Sequence, residues 1–268
     1  MSTQKVSVVD ESRRPSFTIV MLAWPVFIEQ ILVSLVSYVD TAMVGSMGAN
    51  ATAAVSISNS PNMLVNGTIM AVGVGFTAMI SRSIGAEDLQ RAKDLMRQAL
   101  LVVVALGLPL MCLLLLLAEK IPLWMGAQAE ILPDAAVYNR IIAASLIFRT
   151  MSMIITSIMR GYGDTKTSMF VNIGVNIVNV IGNFLLIYPT RAISLFGMEF
   201  TMIGAGWGVA GAAAATSGSA TIGALIMLAV LFLKKGPMQL SIKGEYMPDW
   251  AILKTVFRIS LPAAFERI

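Results

Sequence analysis

From Phe17 to Met43 the chain reads FTIVMLAWPVFIEQILVSLVSYVDTAM. A bilayer crossing takes about 20 predominantly apolar residues, so this run can span, yet it carries two acids, Glu29 and Asp40. Four further apolar runs lie at about residues 51–81, 95–118, 135–159 and 168–188, and a sixth span is expected inside the uncharged stretch Phe200–Leu233. A turn at Gly45–Asn50 separates the first two. The Gly204–Gly208 segment reads as a loop or interfacial start to the sixth. Strands are not expected, because a membrane barrel shows short alternating segments rather than long continuous runs. Helices also satisfy their own backbone in lipid. The first run is too long for a signal peptide, holds internal acids and lacks a small-residue cleavage site, so it reads as a retained helix.

Composition agrees. Of 268 residues, 57% are apolar and 13% charged, against roughly 45–50% and about 25% in soluble domains. Mean hydropathy is +0.79. So few charges cannot cover a soluble surface, which argues against a soluble enzyme and a disordered chain. Histidine is absent, removing the commonest general base and metal ligand. The single Cys112 lies in an apolar run and supports neither a disulfide framework nor a thiolate cluster. The net charge of +4 does not indicate nucleic acid, because the cations follow the positive-inside rule. With the N-terminus inside, thirteen fall in cytoplasmic segments: Lys5, Arg13, Arg14, Arg82, Arg91, Lys93, Arg97, Arg160, Lys166, Lys234, Lys235, Lys243 and Lys254. Only Lys120 and Arg191 fall outside.

The end of the chain repeats its beginning. Leu22-Ala-Trp-Pro25-Val-Phe-Ile-Glu29-Gln-Ile31 is echoed by Ile259-Ser-Leu-Pro262-Ala-Ala-Phe-Glu266-Arg-Ile268. Proline, glutamate and isoleucine recur at an offset of 237 residues, each time opening an apolar helix after a basic segment. Six spans return a seventh helix to the side of the first, as in parallel repeats related by an axis along the membrane normal. The chain is therefore expected to be one lobe plus the start of a second, from a protein of roughly 470 residues. Residues 1–16 read as a cytoplasmic tail, 17–233 as the lobe, 234–253 as a linker and 254–268 as the start of helix seven.

Charges inside spans are expensive, about 2.5–3.5 kcal/mol on insertion scales, and mark function. Glu29 and Asp40 are eleven residues apart, which returns to nearly the same helix face about 16 Å along the axis. Asp40 reads as a proton or cation site; the alternative is a structural ion pair with Arg149. Glu29 reads as a substrate-cleft residue or as an acid snorkelling to the interface. Asn172, Asn176, Asn179 and Asn183 are spaced 4, 3 and 4 and form one polar stripe. In lipid such a stripe faces protein, either as interhelical glue or, through Asn179 and Asn183, completing a site with Asp40. Amide oxygens and a carboxylate suit a hard monovalent cation or a hydrogen-bonded protonated acid. Thr216 can add an oxygen. Small residues at Gly73-Val-Gly75 and Gly208–Thr216 point to close helix packing. The 19 methionines supply adaptable apolar surface. Pro25, Pro109 and Pro262 lie in helical runs and are expected to kink them.

Four segments carry a family resemblance. They are Gly75-Phe-Thr-Ala-Met-Ile-Ser-Arg82-Ser-Ile-Gly85-Ala-Glu-Asp, Arg160-Gly-Tyr-Gly-Asp164-Thr-Lys166-Thr, Tyr38-Val-Asp40-Thr-Ala-Met-Val-Gly45 and Gly208-Val-Ala-Gly-Ala-Ala-Ala-Ala-Thr216. Together they resemble the multidrug and toxic compound extrusion (MATE) transporters over the whole chain. The resemblance implies an all-α polytopic membrane protein, with six transmembrane helices forming one lobe of a two-lobe, twelve-helix, parallel-repeat transporter. It implies alternating access between the lobes and export of small organic, often cationic, compounds by antiport against Na⁺ or H⁺. Asp40 matches the span-one aspartate assigned to ion coupling, and Asn179 an asparagine of the same site, with Na⁺ a candidate at this pair. Asn183 stands where an archaeal-type, DNA-damage-inducible branch has a second aspartate, which departs from a two-carboxylate proton switch. Glu266 matches a span-seven glutamate that ligates cation in the sodium-coupled branch. Ser168 stands where the family usually has proline.

The expected function is therefore a secondary active multidrug exporter in the cell (inner or plasma) membrane, with a cytoplasmic N-terminus. Beyond the coupling ion no cofactor is expected. The coupling set is Asp40, Asn179, Asn183, Thr216 and Glu266; the cleft set is Glu29, Tyr38 and Asn176. The lipid bilayer is the expected partner, nucleic acid is not, and the full-length chain is expected to work as a monomer. A lipid-linked saccharide flippase of related fold is the alternative; it would favour a cationic groove, which Arg140 and Arg149 leave open. A channel would need a continuous polar pore. An intramembrane enzyme would need a nucleophile with a nearby base, and no such pair is seen.

Overall fold

A computed structural model describes residues 15–195, 198–234, 236, 239–241 and 247–265. Of the expected features, tail residues 1–14, Lys235, Lys243 and Glu266 lie outside the described residues. In chain order the elements are α1 (Pro15–Gly45), α2 (Ala49–Gly85), α3 (Leu89–Leu117), α4 (Lys120–Trp124), α5 (Leu132–Ala144), α6 (Leu146–Tyr162), α7 (Thr165–Ile187), β1 (Pro189–Leu195), β2 (Met198–Ala205), α8 (Gly208–Leu233) and α9 (Trp250–Phe265).

Five of these helices are long and apolar enough to cross a membrane singly, and α5 with α6 makes a sixth span bent by 49°. The bend falls at Ser145, whose hydroxyl donates to the Ile142 carbonyl at 3.0 Å. Such back-bonding competes with the helix ladder and bends helices. The same hydroxyl reaches Ser217 of α8 at 3.0 Å, so the bend is anchored to a neighbour.

The core gathers where α2, α3 and α6 meet. Phe76, Ile80, Leu95, Ile154, Ile155 and Ile158 are all fully buried there, with Met227 of α8 and Val256 of α9. α7 packs chiefly on α8 and α1. α1 leaves Ile19, Phe27, Leu35 and other large apolar side chains uncovered, which suits contact with lipid or with further protein. α9 lies on α2, where a Cβ at Gly75 would stand 3.0 Å from the Val256 carbonyl. The close approach needs glycine there.

The basic loops share one end of the bundle. At this end α6 stops at Gly163, a left-handed residue with φ 91°. The Gly163 and Asp164 amides donate back to the Arg160 and Met159 carbonyls at 3.1 and 2.9 Å, the hydrogen-bond pattern that closes helices ending in glycine. Asp164 then caps α7 by accepting from the Thr167 amide at 3.2 Å. Lys234 at the end of α8 pairs with the same carboxylate. α9 begins at Trp250, inside the segment expected to be linker, because Asp249 Oδ1 accepts from the Ala251 and Ile252 amides at 2.9 and 3.2 Å.

The opposite end corrects one expectation. Strands are not expected from the sequence, yet β1 and β2 form an antiparallel hairpin that takes in Phe200–Ala205; α8, the sixth span, starts at Gly208, inside Phe200–Leu233 as expected. The stretch is apolar but rich in β-branched and aromatic residues, as in Ile193, Phe200, Thr201 and Ile203, and is bounded by Pro189 and Gly204. That composition favours strands. Its base is closed by Gly206 and Trp207 amides donating to the Tyr188 and Leu186 carbonyls at 3.0 and 2.8 Å.

Candidate functional site

α1 and α7 run in the same direction and meet at two polar rungs. Glu29 accepts from Asn172 Nδ2 at 2.8 Å, and Asp40 Oδ1 accepts from Asn183 Nδ2 at 2.6 Å. Both pairs are 143 residues apart, so equal steps of eleven along each helix carry one rung to the other. The common face expected for the two acids is therefore present, as is the face expected for Asn172 and Asn183.

The rungs differ in what else they touch. Glu29 is 6% exposed and also accepts from Arg160 of α6 at 2.8 Å. The expected cleft residue is thus a buried tie joining three helices near the basic end. It neither snorkels nor lines the cavities described below. Its Oε2 and Arg160 Nε are buried without partners.

Asp40 has no Lys or Arg within ion-pair reach among the described residues. Its partners are amides and hydroxyls. Asn179, one turn below Asn183, satisfies all its neighbours when its amide nitrogen faces the carboxylate. It then donates to Asp40 Oδ1 and Oδ2 at 3.1 and 3.2 Å and accepts from Thr216 Oγ1 of α8 at 3.3 Å. Asn183 and Asn179 are 2% and 5% exposed. With Asn183 Nδ2 committed to Asp40, its Oδ1 is left buried and without a donor. The expected group Asp40, Asn179, Asn183 and Thr216 is therefore assembled, and the ion pair of Asp40 with Arg149 is not formed.

A cavity of about 250 Å³ opens onto this group. Ser37, Thr52, Ser56, Asn59 and Tyr138 add polar groups to its wall, and Asp40 is its one charged lining residue. Tyr38 is 75% exposed on α1 and Asn176 lies half-buried on α7; neither lines this cavity. A second cavity, of about 390 Å³, adjoins it through Asn59, Tyr138 and Thr216. Its one charged lining residue is Arg149, the first being Asp40's.

Several of these side chains went unread in the sequence. Asn59, Asn62 and Asn66 are spaced 3 and 4 on α2, the same signal that marks the α7 stripe. Arg160 reads in sequence as a membrane-face cation, and nothing local connects it to Glu29.

Comparison with known proteins places the site in context. The MatE family pattern matches residues 25–185. The chain is 29% identical over 253 residues to the uncharacterized transporter YisQ of Bacillus subtilis, covering 94% of this chain and 53% of that protein. It is 29% identical over 248 residues to the probable multidrug resistance protein NorM of Thermotoga maritima, covering 92% of this chain and 51% of that protein. The chain thus spans about half the length of these curated relatives. A crystal structure of MATE in complex with MaD3S superposes with a TM-score of 0.86 at 25% identity, over 100% of this chain and 56% of that one. A MOP superfamily transporter from Pyrococcus furiosus superposes at 0.84 and 25% identity, over 100% and 55%.

Proposed function

The chain belongs to the MatE family of membrane transporters, and from this premise we propose that it forms the ion-coupling lobe of a secondary multidrug exporter. The exporter takes up Na⁺ or H⁺ at Asp40 and releases it in exchange for a small organic cation. The single observation that carries this reading is a carboxylate in a spanning helix with amides and hydroxyls around it and no Lys or Arg in ion-pair reach among the described residues. Relatives named as multidrug resistance proteins support the drug-export part.

The donor set fits either ion. For Na⁺, the oxygens of Asp40, Asn183, Asn179 and Thr216 are hard ligands of the kind such cations take. The orphaned Asn183 Oδ1 is an acceptor with nothing to accept from. For H⁺, protonated Asp40 becomes a donor, and Asn179 meets it by exchanging its amide nitrogen and oxygen. In both cases Asp40 loses its net charge, and the cavity loses its attraction for a cationic substrate.

That competition yields antiport. Two unit charges 4 Å apart repel by about 4 kcal/mol at an effective dielectric of about 20, roughly a thousandfold in affinity. An ion and a cationic substrate therefore displace one another at Asp40. A second lobe opened by α9, as the Pro25/Pro262 repeat suggests, would complete the alternating-access cleft. In this reading the basic end lies on the cytoplasmic face of the cell (inner or plasma) membrane, which the Lys and Arg distribution supports, and the whole protein acts as a monomer.

The test is ligand competition. Purified whole protein is titrated with a fluorescent organic cation at varied Na⁺ and at varied pH. One of the two ions weakens binding competitively in the wild type, and Asp40→Asn removes that dependence. Competition that persists unchanged in Asp40→Asn overturns the assignment.

A further inference from the structure

Arg149 inverts the situation of Asp40. It sits one turn past the α5–α6 bend, eleven residues from Arg160 at the basic end, about 16 Å along the helix. It is therefore deep in the span. A cation at such depth ordinarily faces a partner or a water-filled cavity. No carboxylate lies within ion-pair reach of it among the described residues. Among the described residues its guanidinium makes one hydrogen bond, from Nη2 to Asn66 Oδ1 at 2.9 Å. A guanidinium has five N–H donors in a planar fork that matches a carboxylate, so most of this fork remains unused. It opens into the cavity of about 390 Å³ whose wall also carries Asn59, Asn62, Asn66 and Tyr138.

We propose that Arg149 is the anchor of an anion-accepting subsite in this lobe, and that it sets how tightly a cargo bearing a carboxylate as well as a cationic group is held. Asn66 holds one nitrogen of the fork, and Asn62 adds an amide to the same cavity wall. Tyr138, whose hydroxyl stands 3.5 Å from Asn59 Oδ1, lines both cavities and separates the Arg149 end from the Asp40 end. A zwitterion placed across Tyr138 presents its cation to Asp40 and its carboxylate to Arg149. A purely cationic compound uses only the Asp40 end. The inference rests on the export reading for the word cargo, while the subsite itself stands on the unpaired guanidinium and its cavity.

Two rhodamines that share one dye core separate the two ideas. Rhodamine 123 is a cationic methyl ester, and rhodamine 110 is the corresponding free acid, a zwitterion. Their dissociation constants are measured on purified whole protein, and the acid-to-ester ratio is the readout. Charge-assisted hydrogen bonds to a carboxylate are worth about 1.5–3 kcal/mol, so Arg149→Gln should shift the ratio against the acid about tenfold or more. Arg149→Lys, which keeps the charge but loses the fork, should fall between wild type and Arg149→Gln. Asn66→Asp supplies the guanidinium with an internal counter-ion and should shift the ratio as Arg149→Gln does, with the arginine still in place. The ester monitors folding: its affinity should be retained in Arg149→Lys and retained or strengthened in Arg149→Gln and Asn66→Asp, which make the cavity less positive. A ratio that stays at the wild-type value in both Arg149→Gln and Asn66→Asp overturns the subsite. So does an equal loss of acid and ester. Failure of the export reading looks different: ester binding would ignore Na⁺ and pH while the acid-to-ester ratio still responded to Arg149.

Discussion

The two rungs between α1 and α7 use the same geometry for opposite ends. Each sets an α1 carboxylate against an α7 asparagine, eleven residues apart on both helices. At Glu29 the third partner is Arg160, a permanent cation delivered by the last turns of α6. At Asp40 the third partner is Asn179, with Thr216 behind it. One rung is neutralised by the protein, and in the proposed function the other takes its charge from outside. A buried acid with a fixed counter-ion fastens helices together. A half-buried acid ringed by amides is suited to bind what can also leave. Arg149 completes the set as a cation with no carboxylate in ion-pair reach among the described residues.

The largest expected effect lies at the closed rung. Arg160→Ala strands the Glu29 carboxylate, and breaking a buried pair by removing one partner costs about 3–5 kcal/mol. Thermal unfolding of the detergent-solubilised whole protein should show this, and the double change Glu29→Gln with Arg160→Gln should recover most of it. A double variant as unstable as Arg160→Ala would break the comparison, because the damage would not come from an uncompensated charge.

Asn172→Leu sharpens the contrast further. It removes one hydrogen bond to a charged group, worth about 1.5–3 kcal/mol, but leaves Glu29 its arginine. Stability should fall by less than in Arg160→Ala, with ion dependence of substrate binding retained. The equivalent change at Asn183 should instead alter ion dependence, since Asn183 donates directly to Asp40.

The smallest effect belongs to a third carboxylate, outside the membrane. Burial raises the affinity of Asp164 for its proton. Hydrogen bonds from Lys234 and Thr167 outweigh this and hold its carboxyl below the usual carboxylate range. A depressed folded-state value contributes stability above the unfolded value near 3.9, and that contribution is lost as pH falls through the folded one. Lys234 is 54% exposed, so Lys234→Ala should cost only about 0.5 kcal/mol. In chemical unfolding the difference should be flat from about pH 7 to 5 and vanish with acidification below about pH 4.

Much of this was legible in the sequence, and the reasons are local. Six apolar runs, the Lys and Arg asymmetry and the spacing of Asn172, Asn176, Asn179 and Asn183 follow from helical periodicity, so the spans and the Asp40–Asn183 meeting were readable. Thr216 was readable as an oxygen on a small-residue face. The α5–α6 bend was not, because it is made by a serine back-bond rather than by proline or glycine. The hairpin was not readable, because strands were not expected between long apolar helical runs, although its β-branched residues pointed to them. The Glu29–Arg160 pair joins residues 131 positions apart, a distance that no periodicity encodes. Arg160 was read as a loop cation because its position in the chain fits that role equally well.

The central claim is that Asp40 carries the exchangeable charge while Glu29 carries a fixed one. It is tested most directly by efflux of a fluorescent organic cation from vesicles holding the whole protein, under an imposed Na⁺ gradient and then an imposed proton gradient. Wild type and the Glu29→Gln, Arg160→Gln double variant should both show efflux driven by one of the two gradients, and Asp40→Asn should show none. Gradient-driven efflux that survives in Asp40→Asn, or that is lost in a folded Glu29→Gln, Arg160→Gln protein, would contradict the account.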